Sequence, residues 1–192
     1  SDGNILTSTN GITWSNTISG TSQNLVDIAY GSGTFVAVGT NGTVLYSTNG
    51  TVWQPSGAVS FTNINAITYA ASKFVLVTLL GEVYTSNNGI TWTAQVSGTS
   101  NALNAIAYGN GNFVATGKNG TVIYSSDAVS WNTKTVGYYD LLGVRYIVNT
   151  AGNYFVAVGA YTNAYYSTDG ISWSRSLIDA FTSATNDGTN SY

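Results

Sequence analysis

The chain has 192 residues, of which 43% are hydrophobic and 7% charged, with a formal net charge of −3. Its five Lys and Arg residues cannot form a phosphate-tracking patch or a polybasic lipid anchor, which excludes nucleic acid and anionic membrane surfaces as partners. Without His or Cys, there is no disulfide framework, no thiol nucleophile, no Ser-His-Asp triad and no His/Cys metal centre.

No apolar run reaches the roughly 18 residues that would cross a bilayer, so no membrane insertion is expected. No signal peptide is visible, and the chain opens on Ser1, as a processed or trimmed form would. With so few charges, the surface must be covered by Ser, Thr, Asn and Gly. That surface, together with the absence of Cys and Met, points to an extracellular setting, secreted or on a virion.

In chain order, residues 1–18 read "NILTST", an Asn10–Gly11 turn and Trp14: two short strands only. A fuller unit follows. "LVDIAYG" (Leu25–Gly31) alternates apolar residues, and "TFVAVG" (Thr34–Gly39) is β-branched and aromatic. "TVLYST" (Thr43–Thr48) comes after an Asn41–Gly42 turn, and an Asn49–Gly50 turn leads to Trp53. Gly and Asn turns between short β-forming runs mark hairpins. The pattern recurs in "INAITYAASKFVLV" (Ile64–Val77), in "LNAIAYGNGNFVATGKNGTVIYS" (Leu103–Ser125) and in "LLGVRYIVNTAGNYFVAVG" (Leu141–Gly159). Nothing reads as a helix, and Pro55 is placed in a connection.

The tryptophans fall at 14, 53, 92, 131 and 173, spaced by 39, 39, 39 and 42 residues. Four strands per unit of this size make a propeller blade, and repeating one hydrophobic pattern repeats one interface. The expected fold is an all-β, five-bladed β-propeller of four-stranded antiparallel blades. Its full blades span about 25–54, 64–93, 103–132 and 142–174. The half-blade at 1–18 is expected to be completed by 177–192, "LIDAFTSATNDGTNSY". By alignment Tyr192 matches Phe35, leaving "VAVG" of the second strand without an equivalent. The seam therefore closes within one chain as a monomer, or between chains as a strand-exchanged polymer.

Each unit turns from its third to its fourth strand through one phrase: "TSTNGITW", "YSTNGTVW", "TSNNGITW", "YSSDAVSW" and "YSTDGISW". The short polar residue (Asn10, Asn49, Asn88, Asp127, Asp169) is expected to bond its own backbone. Gly supplies a permissive φ in four copies, and Ala128 replaces it in one. Trp14, Trp53, Trp92, Trp131 and Trp173 are expected to plug the gap between blades. The phrase resembles the Asp-box, or bacterial neuraminidase repeat, of sialidase-like propellers. It has one residue fewer before Trp than the usual form, and Asn in three copies. The resemblance covers the whole chain and implies that these turns are structural and lie on the face away from the ligand site.

Sialidase chemistry, as the resemblance implies it, needs an arginine cluster, a Tyr nucleophile with a Glu partner and an acid Asp. This chain has Arg145 and Arg175 as its only arginines, and Glu82 as its only glutamate, so that cluster cannot be assembled. "NDG" at Asn186–Gly188 and "TDG" at Thr168–Gly170 read as turns, not calcium loops, and "GSGTF" and "GNGNF" as hairpins, not phosphate cradles. The "NGT" sequons at Asn41, Asn49 and Asn119 repeat because the turn repeats. No enzyme activity, metal or cofactor is expected.

What remains is a binding surface. "VGYYDLLG" places Tyr138, Tyr139 and Asp140 in a connection between blades, and "GAYTNAYY" places Tyr161 and Asn163 in a turn from strand two to strand three. Both fall on the face opposite the Trp turns. Aromatic platforms beside Asn and Asp suit sugars, so the expected function is glycan recognition or surface adhesion. The other reading is a structural repeat module of an extracellular fibre, appendage or virion that contacts other protein chains.

Overall fold

A computed structural model describes residues 3–57, 62–150, 152–161 and 163–176. The architecture is all-β and antiparallel throughout. A two-stranded sheet pairs β1 (Ile5–Thr7) with β2 (Ser15–Thr17). Four four-stranded sheets follow, each wound in chain order. The first has β3 (Leu25–Gly31), β4 (Thr34–Gly39), β5 (Val44–Ser47) and β6 (Gln54–Pro55). The second has β7 (Ile64–Ala70), β8 (Lys73–Thr78), β9 (Val83–Ser86) and β10 (Thr93–Gln95). The third has β11 (Leu103–Gly109), β12 (Asn112–Gly117), β13 (Thr121–Ser125) and β14 (Asn132–Thr135). The fourth has β15 (Leu141–Asn149), β16 (Gly152–Gly159), β17 (Ala164–Ser167) and β18 (Ser174–Ser176). The closing strand expected at 177–192 lies outside the described residues.

Pro55 sits in β6, not in a connection. It is on the outer edge of its sheet, where a missing N–H removes no ladder bond. The turns at Thr40–Gly42 and Lys118–Gly120 close as single 3₁₀ turns, with Asn41 and Asn119 at φ +52° and +54°. Asn tolerates this left-handed region better than most residues.

The core lies between sheets, not within them. Val36, Val38 and Val44 of the first sheet pack on Ile64, Phe74 and Leu76 of the second. Val75, Val77 and Val83 of the second meet Leu103, Phe113 and Ile123 of the third. Val114 and Val122 of the third meet Leu141, Val144 and Phe155 of the fourth. Phe74, Phe113 and Phe155 are fully buried, and each anchors one interface.

The innermost strands carry a second repeated device. Each has a bulge after its first residue, at Leu25/Asp27, Ile64/Ala66, Leu103/Ala105 and Leu141/Gly143. An extra residue there re-aims a side chain out of the ladder. Asn65 Nδ2 donates to the Leu103 carbonyl and Asn104 Nδ2 to the Leu141 carbonyl, both at 2.8 Å, stitching each sheet to the next. The first sheet has Val26 at this position. Its neighbour Asp27 makes the link instead, accepting the Ile67 N–H at 2.9 Å. All four innermost strands line one cavity of about 480 Å³, which Asp27, Asn65, Asn104 and Arg145 border.

Candidate functional site

The five Trp turns share one hydrogen-bond pattern. In each, the carboxylate or amide oxygen of the short polar residue accepts two backbone N–H groups, from the residues two and three positions on, at 2.7–3.0 Å. A serine two residues earlier (Ser8, Ser47, Ser86, Ser125, Ser167) donates its hydroxyl to that same oxygen. The serine Oγ also accepts the N–H of the Gly or Ala that follows, at 2.8–2.9 Å. The Gly copies hold φ of +72° to +76°, and Ala128 is held at +61° with its methyl buried.

These bonds set the charge state of the two acidic copies. N–H groups of Ser130 and Val129 and the Ser125 hydroxyl hold the Asp127 carboxyl at about 2, below its ordinary 3.8. At Asp169 burial pushes upward, but the N–H groups of Ser172 and Ile171 and the Ser167 hydroxyl outweigh it, so the carboxyl again lies below its ordinary value.

The tryptophans differ in environment. Trp53, Trp131 and Trp173 donate Nε1–H to the carbonyl of their own turn at 3.0–3.1 Å. Trp92 donates instead to Ser56 Oγ, and that hydroxyl donates to the Ile90 carbonyl, tying the first sheet to the second. Trp92, Trp131 and Trp173 each pack at the interface with the preceding sheet. Trp53 is 9% exposed, whereas Trp14 in the two-stranded sheet is 57% exposed.

At the opposite end of the strands, two of the three tyrosines singled out by the sequence come together. Tyr139 and Tyr161 have ring centroids 5.0 Å apart at an interplanar angle of 51°. Tyr138 beside them is 92% exposed, and Tyr161 is held at φ +56°. The two polar residues of the group serve the scaffold. Asp140 Oδ1 accepts the Asn119 N–H at 2.9 Å, joining the third sheet's turn to the start of the fourth. Asn63 Oδ1 does the same for the Asn41 N–H between the first and second sheets. Asn163 is buried, and its Nδ2 donates to the Ala160 and Tyr161 carbonyls. The site is thus an exposed tyrosine cluster whose neighbouring Asp and Asn hold its loops in place.

The remaining described carboxylates are also engaged. Asp27 accepts the N–H groups of Ile28 and Ile67. Glu82 Oε2 accepts the hydroxyls of Thr62 and Thr78 at 3.0 and 2.9 Å. All five described acids therefore accept hydrogen bonds from the framework.

The sheet-to-sheet links went unread in the sequence, although a signal was present: "INAI" and "LNAI" recur at the same offset and mark the linking Asn65 and Asn104. Lys73 Nζ reaches the Asp127 carbonyl and Asn112 Nδ2 the Asp169 carbonyl, so the first hairpin of one sheet grips the Trp turn of the next.

No family model and no curated protein matches the chain. Solved structures do. YCF48 bound to D1 peptide is 13% identical with a TM-score of 0.66, covering 90% of this chain and 61% of its own. The GH74 enzyme of Niastella koreensis is 22% identical with a TM-score of 0.67, covering 93% of this chain and 29% of its own. The computationally designed protein Ika4 is 12% identical with a TM-score of 0.60, covering 76% and 91%. The chain thus spans a little under two thirds of that YCF48 chain and less than a third of the GH74 chain. At these identities the likeness defines the fold: an all-β protein of β-propeller type.

Proposed function

We propose that this chain is a non-enzymatic, extracellular or virion-surface recognition module that binds glycans through Tyr138, Tyr139 and Tyr161. Its five Trp turns are Asp-box repeats on the far face. The ring has five blades and closes where 177–192 meets the two-stranded sheet. The observation that carries the reading is the tyrosine pair: Tyr139 and Tyr161 have ring centroids 5.0 Å apart, and the exposed Tyr138 precedes Tyr139 in the chain. Exposed rings offer the flat apolar faces that pyranose C–H groups stack on, and phenol hydroxyls supply hydrogen bonds at the rim. Asp127, Asp140 and Asp169, three of the five described acids, clamp turns, which supports a binding role over hydrolysis by a carboxylate pair about 5–9 Å apart.

A glycan array on the unmodified protein tests this reading. Selective retention of one glycan class is the expected result, and an array with no signal overturns it. The second reading, a structural module that contacts other protein chains, is favoured by one observation: Val26, Ile28 and Tyr30 form an exposed apolar face on β3.

A further inference from the structure

The side-chain amide of an Asn before Gly lies open to attack by its own backbone, because glycine has no Cβ to hinder the approach of its nitrogen to Asn Cγ. The chain has six such pairs, at Asn10, Asn41, Asn49, Asn88, Asn110 and Asn119. Gly42, Gly50, Gly89 and Gly120 are buried. Gly11 is exposed, but its N–H donates to Ser8 Oγ at 2.8 Å. In the Trp turns of Asn10, Asn49 and Asn88 the amide oxygen also accepts two backbone N–H groups, which fixes the side chain in the turn. The pair at Asn110 differs from the other five. Asn110 and Gly111 form the two-residue tip of the β11–β12 hairpin, at φ +44° and +79°. Both are exposed. A Cβ on Gly111 would meet nothing within 4 Å, and no hydrogen bond holds the Gly111 N–H.

We propose that Asn110 is a site of self-modification, converting in water to aspartate and isoaspartate while the fold holds the other five pairs back. The Gly111 nitrogen attacks Asn110 Cγ and bonds to it. The Cγ–Nδ2 bond breaks, and Nδ2 leaves as ammonia with the proton that the Gly111 nitrogen gives up. Water then opens the five-membered imide at either carbonyl, so no oxidant, reductant or cofactor takes part. The conversion has a structural consequence. Asn110 Nδ2 donates to the Thr168 carbonyl at 3.1 Å, and Asn112 Nδ2 to the Asp169 carbonyl at 2.9 Å. A carboxylate at position 110 has no N–H to donate and sets an oxygen against the Thr168 carbonyl instead. It also adds a negative charge beside the turn that holds Asp169. The third sheet's hairpin thereby loses one of these two bonds to the Trp turn of the fourth. The corresponding tips of the first two sheets, Ser32–Gly33 and Ala71–Ser72, carry no side-chain amide.

Incubation of the unmodified, folded protein in mildly alkaline buffer, followed by peptide mass spectrometry, tests the proposal. Acid at position 110 is expected to accumulate at least about tenfold faster than at Asn10, Asn41, Asn49, Asn88 or Asn119, the factor that a hydrogen bond or two commands. The same incubation in denaturant should erase the difference. No conversion at Asn110 in the folded chain overturns the proposal, as does a rate matched at any of the other five pairs. A ranking that persists in denaturant also overturns it, because the lability would then come from local sequence and not from the fold. Asn110→Asp reads the consequence separately. It is expected to lower the melting temperature by about 2–4 °C, whereas Asn110→Ser, which copies the first sheet's tip, should fall less because it brings no charge to the Asp169 turn. Equal melting temperatures for Asn110→Asp and the unmodified chain overturn the loosening of the hairpin's grip.

Discussion

Gly31 lies directly against the Tyr69 ring of the next sheet, so closely that a Cβ on it would come 2.1 Å from Cγ and 2.2 Å from Cδ1. Gly109 stands in the same relation to Tyr146, at 2.1 Å from its Cγ. Tyr69 in turn stacks on Phe74 of its own sheet, with ring centroids 4.6 Å apart. Small residue, tyrosine and phenylalanine form the contact that joins successive sheets. Gly31→Ala must displace a ring that Phe74 pins, and is expected to cost about 1–3 kcal/mol, the usual penalty of overpacking. Chemical denaturation measures it. Gly33→Ala, two residues on, has open space at Cβ and a φ of +75°. It should lose only the backbone term, about 1 kcal/mol. A Gly31→Ala protein with an unchanged midpoint would show that the sheets slide freely past this contact.

The tryptophans should rank by burial. Trp92→Ala removes a ring packed in the core between the first two sheets, and also its bond to Ser56. It is expected to cost about 3–5 kcal/mol. Trp14→Ala removes a ring that is more than half exposed and should cost well under half as much. Asn88→Ala deletes the oxygen that holds two N–H groups, at about 1 kcal/mol by comparison with a lost helix cap. Equal losses at Trp92 and Trp14 would contradict the packing described.

Two of the five turns are titratable, and the sign of their effect follows from the depressed carboxyls. Asp127 binds its proton at about 2 in the folded chain, against an ordinary 3.8. Its contribution to stability is therefore fully present above about pH 4 and is lost as pH falls toward 2. Asp169 is shifted in the same direction. Denaturation midpoints measured from pH 5 to pH 2 should fall across this window. Asp127→Asn, which copies the side chain found at Asn49 and Asn88, should flatten part of the fall. A variant with the wild-type pH profile would show that the carboxylate form carries no advantage.

The strands and turns were legible because they repeat. The tryptophan spacing of 39 residues, lengthened to 42 at the last unit, marks the units that β1–β18 form. The bulges were not legible, since one extra residue in a seven-residue strand leaves the alternation nearly intact. Their consequence, the reach of Asn65 and Asn104 into the next sheet, depends on a partner 37 or 38 residues away. The tyrosine cluster was legible as residues outside the repeat. The use of Asp140 and Asn163 was not, because an Asp beside two tyrosines reads equally as a ligand group and as a loop clamp. Only the position of the Asn119 N–H decides between them.

The recognition reading stands most directly on a paired measurement of binding and stability. The ligand selected on the array is titrated against Tyr138→Ala and Tyr139→Ala proteins, and their melting temperatures are recorded. Tyr138 is almost wholly exposed, so its loss should leave the melting temperature within about 1 °C, the scale of a neutral surface substitution. Binding should fall by tenfold or more, the equivalent of about 1.4 kcal/mol. Retained binding in both variants, or a loss of binding matched by a loss of stability, would contradict the assignment of this tyrosine cluster as the ligand site.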